Sequence, residues 1–272
     1  MSANPEMPTS SVPLILHRQE GGVRHLTLNR PLQYNALSEE MLAALGEALA
    51  AVAADPAIRV LVIGGSGKAF CAGHDLRQIQ ANPDADYHRW LFAECALRMT
   101  QLRQLPQPVI ARVHGIATAG GCQLVAACDL AVAAQGARFA TSGINIGLFC
   151  ATPAVPLARN MLQKQAFEML VTGDFIDAET ACARGLVNRV VAPGQLDDEI
   201  SRLAASIVAK PAQVVAAGKA LFYRQLEMGT DAAYQLAVQA MACNLQDAAA
   251  REGMDAFLAK RPPSWAQPGA GP

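Results

Sequence analysis

The 272-residue sequence is poor in charge. Only 17% of its residues are charged and the formal net charge is −1. With a pI near 6.5 there is no basic field to hold nucleic acid or an anionic membrane, and neither is expected as a partner. C-x-x-C spacing and Cys/His clusters are also missing. The cysteines at 71, 95, 122, 128, 150, 182 and 243 are scattered, which speaks against both a zinc site and a disulfide framework. Reduced thiols in a cytoplasmic protein are the expectation. The opening MSANPEMPTSS has neither the basic start nor the apolar run of a secretory signal. Nothing approaches the run of about 18 apolar residues that a transmembrane helix needs.

What is present is apolar: 52% of the residues are hydrophobic, enough for a sizeable core. VPLILHRQ and VRHLTLNR read as two strands joined at Gly21-Gly22. Ser38 is placed to cap the helix SEEMLAALGEALAAVAA. RVLVIGG has no polar alternation and reads as a strand buried on both faces. A helix is predicted from about Asp86 to Leu105, followed by the strands PVIARVHG and LAVAA. From about Asn160 onward the pattern is mostly helical, with stops at Gly173 and Gly185. A short strand NRVVA comes next, then three Ala-rich helices. The fold class is α/β with a helical C-terminal region. The Pro/Gly-rich end, PPSWAQPGAGP, reads as a loose tail.

The stretch GIATAGGCQLVAACDL raises a chemical question, because Gly120 and Gly121 stand where an apolar helix begins. It echoes AFCAGHDL: both follow a buried strand, and both put small residues and glycine before a polar residue and a leucine. Two turns of one spiral would produce this echo. Phosphate-binding readings fail. Gly67-Lys68 is followed by Ala69 and preceded five residues earlier by Val62, so Walker A spacing is absent. Gly65-Ser66-Gly67 is followed at the third position by Phe70, which excludes the dinucleotide fingerprint and the kinase loop. Two uses of the glycines stay open. They permit tight packing, or they let a reacting atom reach unpaired main-chain N–H groups at a helix start. In the second use, one N–H from each loop would form an oxyanion hole, each donor worth roughly 3–4 kcal/mol.

The segments LNRPLQYNALSEEM, GGSGKAFCAGHDL, HGIATAGGCQLVAACDLAVAA and FEMLVTGDFIDAETACARGLVNRVV occur in an order that resembles the enoyl-CoA hydratase/isomerase (crotonase) superfamily over about residues 12 to 262. The resemblance implies a crotonase-like spiral of ββα turns over 12–200 and a helical trimerisation region over 201–262. Tails are expected at 1–11 and 263–272. It implies a homotrimer or dimer of trimers, and an acyl-CoA thioester as ligand, with no cofactor beyond that coenzyme A. The thioester oxygen is expected between the main-chain N–H groups of His74 and Gly120. Substrate contacts are expected from Ala36, Leu37, Ala72, Gly73, Asp75, Leu76, Ile116, Ala119 and Gly143. Lys260 and Arg261 are expected near the phosphates.

The chain also departs from the family. Hydratases of this type carry a glutamate three residues after the second donor, where this chain has Gln123. They carry another four residues after a Phe-Ala pair, where Phe139-Ala140 leads to Gly143. Hydration needs groups that take and deliver protons, a contribution of roughly 10²–10⁴-fold. A glutamine can hold a water but cannot titrate. Other groups offer little by way of replacement. Cys150 reads first as a small buried residue. His74 carries an imidazole that titrates near neutrality and either reaches the pocket or only packs. Asp75 is expected to cap a helix, and His114 to be structural. Thr141, Ser142 and Asn145 carry no assignable role, and His17, His25 and His88 no constellation. Three readings remain: an acyl-CoA hydratase/isomerase-type enzyme stabilising an enolate or oxyanion; a decarboxylase or thioester hydrolase; and a non-catalytic acyl-CoA binder.

Overall fold

The structure, a computed structural model, describes residues 12–266. The tail expected at 1–11, and residues 267–272 of the one expected at 263–272, lie outside the described residues. Strands β1 (Ile15–Glu20) and β2 (Val23–Leu28) form the expected antiparallel hairpin. Helix α1 (Glu39–Ala54) follows, with Ser38 Oγ accepting the Met41 N–H at 3.3 Å. Three successive chain segments then repeat one plan: a long strand, a short strand and a helix. They are β3 (Val60–Gly65), β4 (Ala69–Cys71) and helices α2 (Leu76–Ala81) and α3 (Ala85–Gln104); β5 (Val109–Val113), β6 (Ile116–Thr118) and α4 (Gly120–Ala127); and β7 (Leu130–Ala134), β8 (Arg138–Ala140) and α5 (Ala151–Asn160). Helix α6 (Gln163–Thr172), strand β9 (Ile176–Asp177), helix α7 (Ala178–Ala183) and strand β10 (Arg189–Val191) complete the mixed part.

The long strands join one six-stranded sheet in the order β1-β2-β3-β5-β7-β10, parallel from β2 onward. The short strands join a second sheet, β4-β6-β8-β9. The echo between AFCAGHDL and ATAGGCQL thus has a physical basis. β4 and β6 are parallel neighbours, Ala69 opposite Ile116 and Cys71 opposite Ala117, and each feeds a loop at the same end of the small sheet. This is the spiral that the resemblance implies.

The strand VLVIGG lacks polar alternation because both of its faces are covered. Leu61 and Ile63 join the main core with Leu45, Leu49 and Phe70, while Val60 and Val62 meet Leu196, Ile200, Leu203 and Ala204. Those last four belong to helix α8 (Leu196–Val208), which lies on the outer face of the large sheet. The division expected at residue 200 therefore runs through a helix that covers the sheet. Beyond it come α9 (Ala212–Gln225), α10 (Thr230–Asn244) and α11 (Ala248–Leu258). Among the described residues four α-helices, not three, follow β10. The break missed in the sequence is the turn around Lys210-Pro211, where Pro211 cannot donate and caps the next helix instead. Ser264–Ala266 form one further turn, held by Ser264 N–H donating to Glu252 at 2.7 Å.

Candidate active site

A cavity of about 1010 Å³ opens where the loops after β2, β4, β6 and β8 meet. Of the residues expected at the site, Ala36, Ala72, His74, Asp75, Leu76, Ala119, Gly120 and Gly143 line it.

Main-chain packing builds its floor. Gly73 has φ +90°, and a Cβ there would stand 2.9 Å from the Gly120 nitrogen. A Cβ on Gly121 would stand 2.0 Å from the Cys71 carbonyl oxygen. The two glycine loops therefore touch backbone to backbone, which only glycine allows. Leu37 and His74 form an isolated parallel bridge, in which the Leu37 N–H donates to Gly73 O at 2.8 Å and the Asp75 N–H to Leu37 O at 3.4 Å. That pattern uses the neighbours of His74 and leaves the His74 N–H on the opposite side. Neither His74 N–H nor Gly120 N–H has a hydrogen-bond partner among the described residues. Ala119, just before Gly120, has φ +48° and ψ −117°, a conformation that costs a non-glycine residue of order 1–3 kcal/mol. Its own N–H is tied to Ala140 O at 3.0 Å, and this strained residue sets the direction in which α4 starts.

The sequence reading missed two residues that hold this floor. Asn35 is fully buried. Its amide nitrogen donates to Ser66 O, Ala69 O and Phe70 O at 2.9, 2.8 and 3.2 Å, and its Oδ1 accepts Arg30 N–H at 2.9 Å. Its φ of +56° suits asparagine better than most residues. Arg30 pairs with Asp75 at 3.2 Å and donates to Ala36 O at 3.1 Å. Asp75 also accepts Arg77 N–H at 3.2 Å, the expected cap of α2. The signal for Asn35 lay in NRPLQYNA, where an asparagine follows a proline turn and tolerates a left-handed backbone.

Five of the expected residues do not line the cavity, Gly73 among them. Gln123 is 2% exposed and lies behind the cavity wall, its Oε1 4.0 Å from the Cys95 thiol. The i to i+3 spacing gives the direction of the side chain but not the depth of the wall, and α3 packs across it. Leu37 is wholly buried under the floor, where it meets Gly120 without lining the cavity. Ile116 is 38% exposed at the start of β6, away from the cavity. Lys260 lies two residues past α11 with φ +51° and is not a lining residue; Arg261 is taken up by Glu252 at 2.7 and 2.9 Å.

Gly143 stands in a closed corner. A Cβ on it would lie 2.6 Å from Leu148 O and 2.9 Å from Cys150 Sγ. The segment Ser142–Ile146 winds tightly, Gly147 turns at φ +80°, and the Leu148 N–H returns to Gly143 O at 3.0 Å. The Cys150 thiol thus fills the space that a side chain at 143 would enter. It is both buried and on the cavity wall, and burial raises its pKa. His74 stacks edge-on against Phe92 at 5.0 Å. Burial pulls its pKa down to about 4, opposed by the Leu37 main chain beside the ring. The imidazole is therefore neutral at pH 7 and not poised to titrate there. His114 accepts the structural role expected, 2.9 Å from Gly67 O. Thr141 donates to Met169 O at 2.6 Å, Ser142 pairs with Thr118 at 2.8 Å, and Asn145 reaches Gly173 O at 3.5 Å.

The sequence matches the family model for enoyl-CoA hydratase/isomerase over residues 18–268. It is similar to enoyl-CoA hydratase domain-containing protein 3, mitochondrial, of Xenopus laevis, 46% identical over 93% of this chain and 86% of that protein. Among solved structures, an enoyl-CoA hydratase from Mycobacterium smegmatis superposes with a TM-score of 0.92 at 60% identity, covering 94% of this chain and 100% of that one. Human enoyl-CoA hydratase domain-containing protein 3 superposes with a TM-score of 0.90 at 43% identity, covering 92% and 99%. The cytoplasmic expectation is overturned here. The relatives from frog, rat and human are all named mitochondrial. Spiral fold, loop order and sequence agree: the chain belongs to the enoyl-CoA hydratase/isomerase family.

Proposed function

We propose that this chain is an acyl-CoA-processing enzyme that stabilises negative charge on a thioester oxygen with the main-chain N–H groups of His74 and Gly120, and that does so without a titrating carboxylate at 123 or 143. One observation carries the reading: these two N–H groups belong to touching loops, border one cavity, and have no acceptor among the described residues. Each such donor contributes roughly 3–4 kcal/mol to a developing oxyanion in a dry site. Coenzyme A enters as part of the substrate. Arg77, exposed at the cavity rim and without an ion-pair partner among the described residues, is suited to meet its phosphates better than Lys260 or Arg261.

The reaction is of a kind that needs the oxyanion site first. Decarboxylation of a malonyl-type thioester releases CO₂ and leaves the electron pair as an enolate, with no base required. Thioester hydrolysis requires a positioned water. Hydration of an enoyl thioester requires the proton transfers for which Gln123 and Gly143 offer no group. A second reading, a non-catalytic acyl-CoA binder, is favoured by the closed corner at Gly143. A panel of enoyl-, malonyl- and saturated acyl-CoA esters, followed by mass, separates them. Loss of 44 mass units (CO₂) or release of free CoA supports the enzyme. Binding without turnover supports the binder. Failure to bind any CoA ester overturns both, and rapid hydration of an enoyl ester overturns the reading without carboxylates. A homotrimer or dimer of trimers, assembled through the C-terminal helices, is part of the same proposal.

A further inference from the structure

A second cleft, of about 540 Å³, lies where the end of α1, the loop before β5 and the turn between α8 and α9 meet. It shares no lining residue with the first cavity, and its volume is that of a small-molecule site. Small or rigid side chains leave it open. Ala53 and Ala54 end α1, Pro106 and Pro108 flank the loop, and Ala212 and Ala216 stand one turn apart on α9. Ile58, Ile207 and Val215 supply the larger apolar surface. Helix α9 has no fully buried residue, and beside the cleft Lys219 Nζ ties it to Gln107 O at 2.9 Å.

One charged residue, Arg59, stands among these walls. It is half-buried, donates to Lys210 O and makes no ion pair among the described residues. Asp55, the acid nearest to it in sequence, is engaged elsewhere: it pairs with Arg24 at 3.7 Å and accepts the Ala57 N–H at 2.9 Å. A guanidinium has five N–H donors, so one carbonyl acceptor leaves donors over for an anion. We infer that this cleft is a second binding site of the chain, for an amphipathic carboxylate: an alkyl carboxylic acid with its head on Arg59 and its tail along Ile58, Ile207 and Val215. A lone cation selects a singly charged anionic head, and the guanidinium fork matches the two oxygens of a carboxylate. The walls select an apolar tail. Their other polar side chains are Gln107 and Gln213, and Gln107 already donates to Val52 O at 2.9 Å. Seated there, the ligand bridges α1 and the loop before β5 to α8 and α9, and so braces the C-terminal helices against the spiral.

Isothermal titration of the full chain with octanoate, octylammonium and acetate is the test. Acetate carries the head without the tail, and octylammonium carries the tail with the opposite charge. Octanoate is expected to bind about a hundredfold or more tightly than acetate, through burial of its methylenes, and about tenfold or more tightly than octylammonium, through the charged hydrogen bonds. No binding of octanoate, or a smaller preference over either probe, overturns the inference. Arg59→Gln is expected to weaken octanoate about tenfold or more, and Val215→Asp, which sets a carboxylate in the wall, to do the same. Smaller losses in both variants overturn the assignment to this cleft. Octanoate held in the first cavity would instead be weakened by Ile146→Asp and not by the cleft variants, and that pattern overturns the inference too. The three probes on the wild-type protein decide the matter even where a variant does not fold.

Discussion

At the scale of single residues, two glycines hold the site for different reasons. Gly121 lets α4 start against the Cys71 carbonyl, and Gly143 lets the following loop close over itself. In each case the atom a Cβ would strike is main-chain oxygen, at 2.0 and 2.6 Å, and backbone cannot step aside as a side-chain tip can. Gly121→Ala is expected to cost about 3 kcal/mol or more, and Gly143→Ala about 1–3 kcal/mol, the range for overpacking. Gly136→Ala, with nothing within 4 Å, is expected to be neutral in the same thermal-unfolding measurement. It follows that Gln123→Glu with Gly143→Glu will not produce a hydratase. The second glutamate has no corner to enter, and its arrival would displace the loop carrying Cys150.

His74 gives a second prediction at this scale. An unfolded histidine takes up a proton near pH 6.5, whereas the folded one resists until about 4. Its contribution to stability is therefore fully present above pH 6.5 and is lost progressively as the pH falls from 6.5 toward 4. At about 1.36 kcal/mol per pH unit the ceiling is about 3 kcal/mol. Urea midpoints at pH 7.5 and pH 5 measure it. The wild-type protein is expected to lose more stability between them than His74→Leu does; equal losses would show that the imidazole is not held neutral by the fold.

At the scale of elements, helix α9 is tied to the spiral by one buried cluster. Lys219 Nζ reaches Asp129 at 2.6 Å, Leu102 O at 2.8 Å and Gln107 O at 2.9 Å, while the Tyr223 hydroxyl donates to the other Asp129 oxygen at 2.7 Å. The Val109 N–H donates to the same carboxylate at 2.6 Å. Burial lowers the Lys219 pKa and raises that of Tyr223, which marks how dry the cluster is. Removing one partner leaves a buried, uncompensated charge, so Lys219→Met is expected to cost about 3–5 kcal/mol. Arg89→Ala, which breaks an exposed pair with Asp86, is expected to shift the unfolding midpoint hardly at all. Equal effects would mean that the cluster does not anchor the helix.

At the scale of the whole molecule, the C-terminal helices carry apolar side chains that the chain itself leaves uncovered. Phe257 is 82% exposed, and Leu258, Tyr234, Val238 and Met241 are all more than half exposed. Single exposed apolar residues are ordinary, but a series of large ones on successive helices marks an interaction surface. The proposed assembly predicts a light-scattering mass three or six times that of the chain, and Phe257→Asp with Leu258→Asp is expected to reduce it. A monomeric wild-type mass would remove the assembly from the proposal and leave the cavity untouched.

Local pattern determined much of this protein. The double-faced strand VLVIGG, the Ser38 and Asp75 caps, the stops at Gly173 and Gly185, and the echo of two glycine loops were legible because each is written in adjacent residues. So was the absence of both glutamates, which is a matter of residue type alone. Depth and closure were decided only by the tertiary structure. Whether Gln123 reaches the cavity depends on what α3 lays across it. Whether position 143 has room depends on a carbonyl five residues away. Asn35 acquires its role from carbonyls more than thirty positions distant. Such facts depend on which segments meet in space, and packing between remote segments leaves no periodic trace along a single chain.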